Sequence, residues 1–252
     1  MTLALTDHTG YLLRLGYDYA YEIASTELPD GPHPRDFSLL VAIVDDLERR
    51  GWVERRRDPD DRRSYGLHVT AAGERAVAEL GPKIEAANEK MAGRLSQAER
   101  TRLNELLREL IAADPGRLIP PLLRDRTGFL VVQAHFMARD QANAAFRDLP
   151  IEIRHYGVLV ALDELGPTSQ QALTNRMHVS ATTVTQVVDD LERLGLVERR
   201  RNPTDRRSYT VTMTPEGARI LKTARTRAES IAFPGGDELR VLLRKLLGIE
   251  AR

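Results

Sequence analysis

Thr182, Thr185 and Gln186 fall on one face of a predicted helix, and together they can read DNA bases. A carboxamide carries a donor and an acceptor side by side, so Gln186 can pair bidentately with an adenine edge. Threonine methyls can meet thymine methyls in a major groove about 12 Å wide. The combination predicts a preference for A·T steps. Ser169, Gln170, Arg176 and Ser180 fall where hydrogen bonds to phosphate would set register without reading sequence. Downstream, Glu198 to Arg207 holds Arg199, Arg200, Arg201, Arg206 and Arg207 against Glu198 and Asp205, a local balance of +3. Arginine at a hairpin tip suits a narrow, electronegative minor groove. Arg206 is expected in that groove and Arg207 on a phosphate or a structural partner, with Arg199 and Arg201 adding charge to the strand that leads there.

These side chains need a scaffold, and the apolar periodicity supplies one. Residues 122–147 and 151–165 have helical spacing, the second stretch closed by Gly166-Pro167. Thr168 or Ser169 can cap a short helix, SQQALTNRM, with Ala172, Leu173 and Met177 turned inward. Ser180 is the next cap, opening a helix whose Val184, Val187, Val188 and Leu191 form one apolar stripe, with Thr182, Thr185, Gln186 and Asp189 on the opposite face. Two short helices in tight succession make a helix-turn-helix. After Gly195 the spacing changes to extended. Residues 196–201, a turn at NPTD, and 206–214 predict a β-hairpin, since Tyr209, Val211 and Met213 alternate with polar residues. Helices over Pro215 to about Ile231 and Asp237 to Leu247 complete a winged helix.

The same block occurs twice. VDDLERRGWVERRRDPDDRRSY at 44–65 returns as VDDLERLGLVERRRNPTDRRSY at 188–209, differing only at positions 50, 52, 58 and 60. Such self-similarity predicts a repeated architecture. LTDHTGYLL at 5–13 matches LRDRTGFLV at 123–131, and TRLNELLREL at 101–110 resembles DELRVLLRKL at 237–246. The chain therefore divides into 1–116 and 117–252, joined by the proline-rich stretch Ala113 to Pro121. The order of elements, with Gly195 to Val197, Arg199, Asp205, Arg207, Thr214 and Gly217 as its most specific part, resembles the MarR family of bacterial transcriptional regulators. The resemblance implies a mainly α fold with short β-hairpin wings, here two MarR-like repeats forming a pseudodimer. It implies double-stranded DNA as partner, with Asp205 orienting an arginine of the wing. Family members pair through interlocked terminal helices, and many are repressors released by small aromatic or phenolic ligands held between scaffold and winged domain. By that placement Tyr17, His135, Phe136 and Tyr156 are effector candidates.

The first half departs from the pattern. Aligning Phe37 to Ile43 with Tyr156 to Leu162 gives an offset of 119, which becomes 144 at Val44. The 25 missing residues correspond to Asp163 to Val187, the helix-turn-helix itself. Its wing from Glu54 to Arg63 keeps five arginines, but Glu54, Asp58, Asp60 and Asp61 reduce the balance to +1. Trp52, in the place of Leu196, is expected to pack at the strand start. Long helices are expected at about 70–94 and 96–113.

Composition narrows the remaining classes. The 252 residues are 42% hydrophobic and contain no cysteine, which excludes disulfides and thiolate metal sites. Lysine plus arginine and aspartate plus glutamate are 37 each, so charge signals DNA only locally. No membrane span or signal sequence is evident, and a cytoplasmic protein without cofactor or membrane partner is expected. The six histidines show no metal-ligand spacing, and no phosphate loop or nucleophile turn appears, so an enzyme is not expected. The competing reading is an interaction protein: an antirepressor or ligand sensor on the same scaffold; under either reading the chain is an internal pseudodimer that can pair further as a homodimer.

Overall fold

Caps decide where half of the described α-helices begin. Thr70, Ser96, Ser169, Ser180 and Thr214 each accept, through the side-chain oxygen, a backbone N–H three residues on, satisfying an otherwise orphaned donor. Ser96 also completes a capping box, its backbone N–H donating to Glu99 Oε2 at 2.8 Å. The computed structural model describes residues 5–27, 40–57, 65–201 and 209–249. In chain order these form α1 (Thr9–Glu27), α2 (Leu40–Arg49), β1 (Val53–Arg57), β2 (Tyr65–Val69), α3 (Ala71–Ala92), α4 (Gln97–Ala112) and α5 (Thr127–Ala145). There follow α6 (Ile153–Leu165), β3 (Thr168–Ser169), α7 (Gln170–Met177), α8 (Ala181–Arg193), β4 (Val197–Arg201), β5 (Tyr209–Met213), α9 (Pro215–Glu229) and α10 (Asp237–Leu247).

Two buried clusters organise these elements. One is the winged head, with Leu159, Leu173, Val184, Val188, Leu191 and Val211 at its centre. The other is a helical scaffold of α1, α3, α4, α5 and α10, built around Leu12, Leu13, Leu107, Leu130, Leu239 and Leu243. The scaffold draws on both sides of the 113–121 linker, so the packing units do not follow the boundary between 1–116 and 117–252. At the α1–α5 crossing Gly16 lies so close to Val131 that an added Cβ would sit 2.7 Å from its Cγ1. Only a glycine allows that approach.

The helix expected from residue 122 begins later. A 3₁₀ turn occupies Pro121–Leu123, and α5 starts at Thr127. Its cap comes from other helices: Asn88 Oδ1 accepts the Thr127 N–H at 2.9 Å, and Thr127 Oγ1 donates to Asn104 Oδ1 at 2.9 Å. Another difference is β3, two residues that pair antiparallel with β5 and make the sheet order β3-β5-β4. Thr168 thus lies in a strand, and Ser169 alone is the cap of α7.

The two hairpins are built alike. Arg199 of β4 stands opposite Val211 of β5, and Arg55 of β1 opposite Leu67 of β2. In each, the threonine that caps the following helix bonds back to the strand start: Thr214 N–H to Leu196 O, Thr70 N–H to Trp52 O, both 3.0 Å. The glycine three residues on packs against the same carbonyl, where a Cβ would lie 2.1 Å from Leu196 O or Trp52 O. This contact explains the Thr-x-x-Gly spacing in both copies. Their surroundings differ, since Leu67 is 53% exposed whereas Val211 is fully buried. Val211 is covered by β3, α6 and α7, of which β3 and α7 have no counterpart among the described residues of the first half. Trp52 is half-buried, with the Arg50 guanidinium 5.2 Å from its ring centroid.

Candidate nucleic-acid interface

A left-handed residue makes the turn of the helix-turn-helix. His178, at φ 52°, ends α7, and Val179 and Ser180 lead into α8. Val184, Val187, Val188 and Leu191 are buried against the head, while Thr182, Thr185, Gln186 and Asp189 are exposed. This amphipathic split presents the expected reading residues together on the outward face. Gln170 Nε2 donates to Thr185 Oγ1 at 3.4 Å, linking the first helix to the second. The Ser169 and Ser180 oxygens accept the Ala172 and Thr183 N–H groups at 3.1 Å, and Ser180 Oγ lies 2.8 Å from Thr183 Oγ1. Both serines therefore set helix starts, and both are exposed.

Two of the expected cations are already engaged. Arg176 holds Glu164 of α6, Nε to Oε2 at 2.8 Å and a second nitrogen at 2.5 Å. It ties α7 to α6 instead of projecting outward as the phosphate reading required. Arg199 is fixed between Asp189 and Glu192 of α8, with both ion pairs at 2.5 Å. Burial alone would lower its pKa, but the two carboxylates reverse this and hold it above the ordinary value. Arg199 therefore fastens β4 to α8. Arg201 is exposed toward the end of β4, and Arg200 pairs with Glu198. Asp205, Arg206 and Arg207 lie outside the described residues.

The adjacent acids of VDDLER have separate partners. Asp189 faces the wing, whereas Asp190 faces α6, 3.1 Å from Arg154 and 3.6 Å from His155 Nε2. Burial pushes the Asp190 pKa up, but Arg193, His155 and Arg154 outweigh it and hold the carboxyl below its usual value. The first copy keeps half of this arrangement. Arg55 binds Asp45 and Glu48, each at 2.5 Å, as Arg199 binds Asp189 and Glu192. Asp46, counterpart of Asp190, instead takes Arg49 of its own helix and Arg50 just after it at 2.8 and 2.7 Å. No local sequence signal marks these pairs, although the repeat of Asp, Glu and Arg at fixed spacing in both blocks foreshadows them.

Head and scaffold meet along α1. Arg14 donates to Met177 O at 2.5 Å, and Tyr11 Oη donates to Arg176 O at 3.2 Å. The effector candidates do not share one place. Tyr17, His135 and Phe136 cluster between α1 and α5, with ring centroids 5.0 to 5.7 Å apart. Tyr156 packs in the head core against Phe146 at 5.5 Å and His8 at 5.8 Å. His8 and Tyr17 are nine residues apart on the α1 side, about 14 Å along a helix axis. Burial pushes the Tyr156 hydroxyl up to about 12 and, reinforced by Arg139 and Arg14, pushes His135 down to about 4.

Comparison with known proteins agrees with this geometry. The MarR family model matches residues 35–65 and 151–209. A putative transcriptional regulatory protein for the hcr operon of Thauera aromatica is 38% identical over 79 residues, 31% of this chain and 48% of that protein. The transcriptional repressor MprA of Escherichia coli K12 is 34% identical over 70 residues, 28% of this chain and 40% of the repressor. The chain thus spans less than half the length of these two curated relatives. Among solved structures, CouR from Rhodococcus jostii RHA1 bound to p-coumaroyl-CoA shares 30% identity, covering 44% of this chain and 78% of that one with a TM-score of 0.41. No described helix is long and apolar enough to cross a membrane. With α7, α8 and the β4–β5 hairpin in the order and contacts set out above, and the family model matched across them, this part of the chain is similar to the MarR family of winged helix-turn-helix transcriptional regulators.

Proposed function

We propose that the chain is a repressor that binds double-stranded DNA through α8 and the β4–β5 wing and is released by a small aromatic or phenolic effector. The observation that carries this reading is the exposed row Thr182, Thr185 and Gln186 on a helix whose opposite face is buried. Residues 1–116 and 117–252 act as unequal repeats of a covalent pseudodimer with one reading head, because the first copy has the hairpin but no helix-turn-helix sequence in front of it. Dimeric helix-turn-helix proteins read half-sites about one helical turn apart, so two such chains are needed to fill a palindromic site. An electrophoretic shift on promoter fragments, repeated over a range of salt, tests the reading. Specific retardation that weakens as salt rises supports it. No retardation of any fragment at low salt leaves the antirepressor reading in its place, and light scattering of the free chain separates one head from two.

A further inference from the structure

The turn between α7 and α8 is gripped from the other half of the chain. Thr174 to Met177 form the last turn of α7, whose carbonyls have no partner within the helix. Tyr11 Oη donates to Arg176 O at 3.2 Å, and Arg14 Nη2 donates to Met177 O at 2.5 Å. A cation at a helix C-terminus also meets the negative end of the helix dipole. Arg14 is itself fixed, paired with Asp18 at 2.6 Å and lying 4.9 Å from the Tyr11 ring centroid. The Leu5 N–H adds a third bond from the first half, to Glu164 Oε1, while Glu164 Oε2 holds the Arg176 side chain. The next residue of the turn, His178, is left-handed at φ 52°, a conformation that a residue other than glycine keeps only where its surroundings impose it.

The other copy lacks these donors. In the match of 5–13 with 123–131, Tyr11 corresponds to Phe129, and one position past its end Arg14 corresponds to Val132. Both lie on α5, and neither side chain can donate a hydrogen bond. The first half has no counterpart of α7 among its described residues, and so no such turn to hold. We propose that Tyr11 and Arg14 are positioning residues for DNA reading: α1 of the first half clamps the α7–α8 turn and sets the angle at which Thr182, Thr185 and Gln186 are presented. This role rests on the DNA-binding reading, whereas the clamp rests on the hydrogen bonds alone. It gives the first half a task in recognition although it carries no helix-turn-helix sequence. A reading surface held firmly by its supporting shell discriminates between bases, and one that is loosened still meets phosphate.

The double variant Tyr11→Phe, Arg14→Val installs the residue types of positions 129 and 132 and removes both α1 donors. Two measurements on the full chain decide. Without DNA, hydrogen exchange of the Thr183 and Val184 amides, which bond to Ser180, quickens about tenfold while exchange in α4 stays as it was. With DNA, the ratio of affinities for a specific promoter fragment and a scrambled one falls about tenfold, with the scrambled fragment's affinity and salt slope unchanged. Arg14→Lys, which keeps a cation near Met177 O, retains more of that ratio than Arg14→Met. Arg108→Gln is the control: this guanidinium also holds one carbonyl and one carboxylate, Arg124 O and Asp125, but within the scaffold, and its loss leaves both readouts unchanged. If the double variant loses its circular dichroism, Tyr11→Phe alone, which removes one hydroxyl, carries the test in the same direction. Unchanged exchange overturns the clamp. Faster exchange with an unchanged affinity ratio makes the contact merely structural and overturns the positioning role. A natural chain that retards no DNA sinks the regulator reading and the positioning role with it, while the exchange measurement still decides the clamp.

Discussion

The guanidinium of Arg199 on β4 reaches back to the carboxylate of Asp189 on α8, nitrogen to oxygen 2.5 Å, and so makes wing and reading helix one mechanical unit. Asp189 follows Gln186 by less than one helical turn, so the carboxylate that orients the wing stands beside the residue expected to read a base. Removing it should disturb orientation more than stability. Asp189 and Glu192 are each about half exposed, and ion pairs of that exposure contribute about 0.2–1 kcal/mol. Asp189→Asn is therefore expected to leave the denaturation midpoint within that range while weakening DNA retardation on every sequence alike. Urea titration and the shift assay together check it. A variant that binds as tightly as the natural chain would show that the pair only decorates the surface.

Gln186→Ala and Arg201→Ala should fail in different ways. The first removes the carboxamide expected to read a base from the exposed face of α8, and the discrimination at one base pair should fall by about 1–3 kcal/mol. The second removes an exposed cation of the wing strand, so affinity should fall for all sequences and the dependence of log K on log salt should flatten by about one phosphate contact. Competition binding against single-site operator variants at several salt concentrations distinguishes the two patterns.

Gly217→Ala should be among the most damaging single-methyl additions in the head. A Cβ there meets Leu196 O at 2.1 Å, a backbone atom that cannot move without shifting β4. A loss of more than about 2 kcal/mol is expected in chemical denaturation. Thr214→Ala, which removes the cap of the same helix and the hydroxyl bond to Gly195 O at 2.8 Å, should cost about 1–2 kcal/mol. If Gly217→Ala proves milder than Thr214→Ala, the close approach is not what selects glycine here.

His135 gives the scaffold an acid-sensitive term. Burial, then the charges of Arg139 and Arg14, depress its pKa to about 4, from an ordinary value of 6.5. Above pH 6.5 the side chain is neutral both folded and unfolded, and the term is fully present. Between 6.5 and about 4 the unfolded chain takes the proton while the folded chain does not, so stability falls across that window and levels off below it. His135→Gln should flatten this part of the profile in thermal melts at stepped pH. A His135 ring resonance that titrates near 6.5 by NMR would contradict the burial argument.

α8 is legible because its signals are local. Ser180 supplies the cap, and four apolar residues at helical spacing define the buried face, leaving the polar row outward. What escaped depends on partners distant in sequence. The start of α5 is fixed by Asn88 and Asn104, 39 and 23 residues before Thr127, so the apolar spacing from residue 122 placed it too early. β3 is two residues long and shows no alternation; it exists because β5 offers an edge. The charge count over Glu198 to Arg207 overstated what Arg199 can offer, because Asp189 and Glu192 neutralise it from outside that window. Tyr156 shows the same limit, since an aromatic residue looks alike in sequence whether it packs on Phe146 or joins Tyr17 and His135.

The scaffold core that mixes α1, α3 and α4 with α5 and α10 also sets a schedule for biosynthesis. Leu12, Leu13, Leu106 and Leu107 leave the ribosome with the first half, but Leu239 and Leu243 complete their surroundings only when α10 has been made, more than 100 residues later. At translation rates of about 5–20 residues per second, those leucines wait from about 7 to about 45 seconds without their full set of partners. The nascent chain must keep a leucine-rich surface from associating with its neighbours for that interval, and its need for chaperones is greatest just before the last helix emerges.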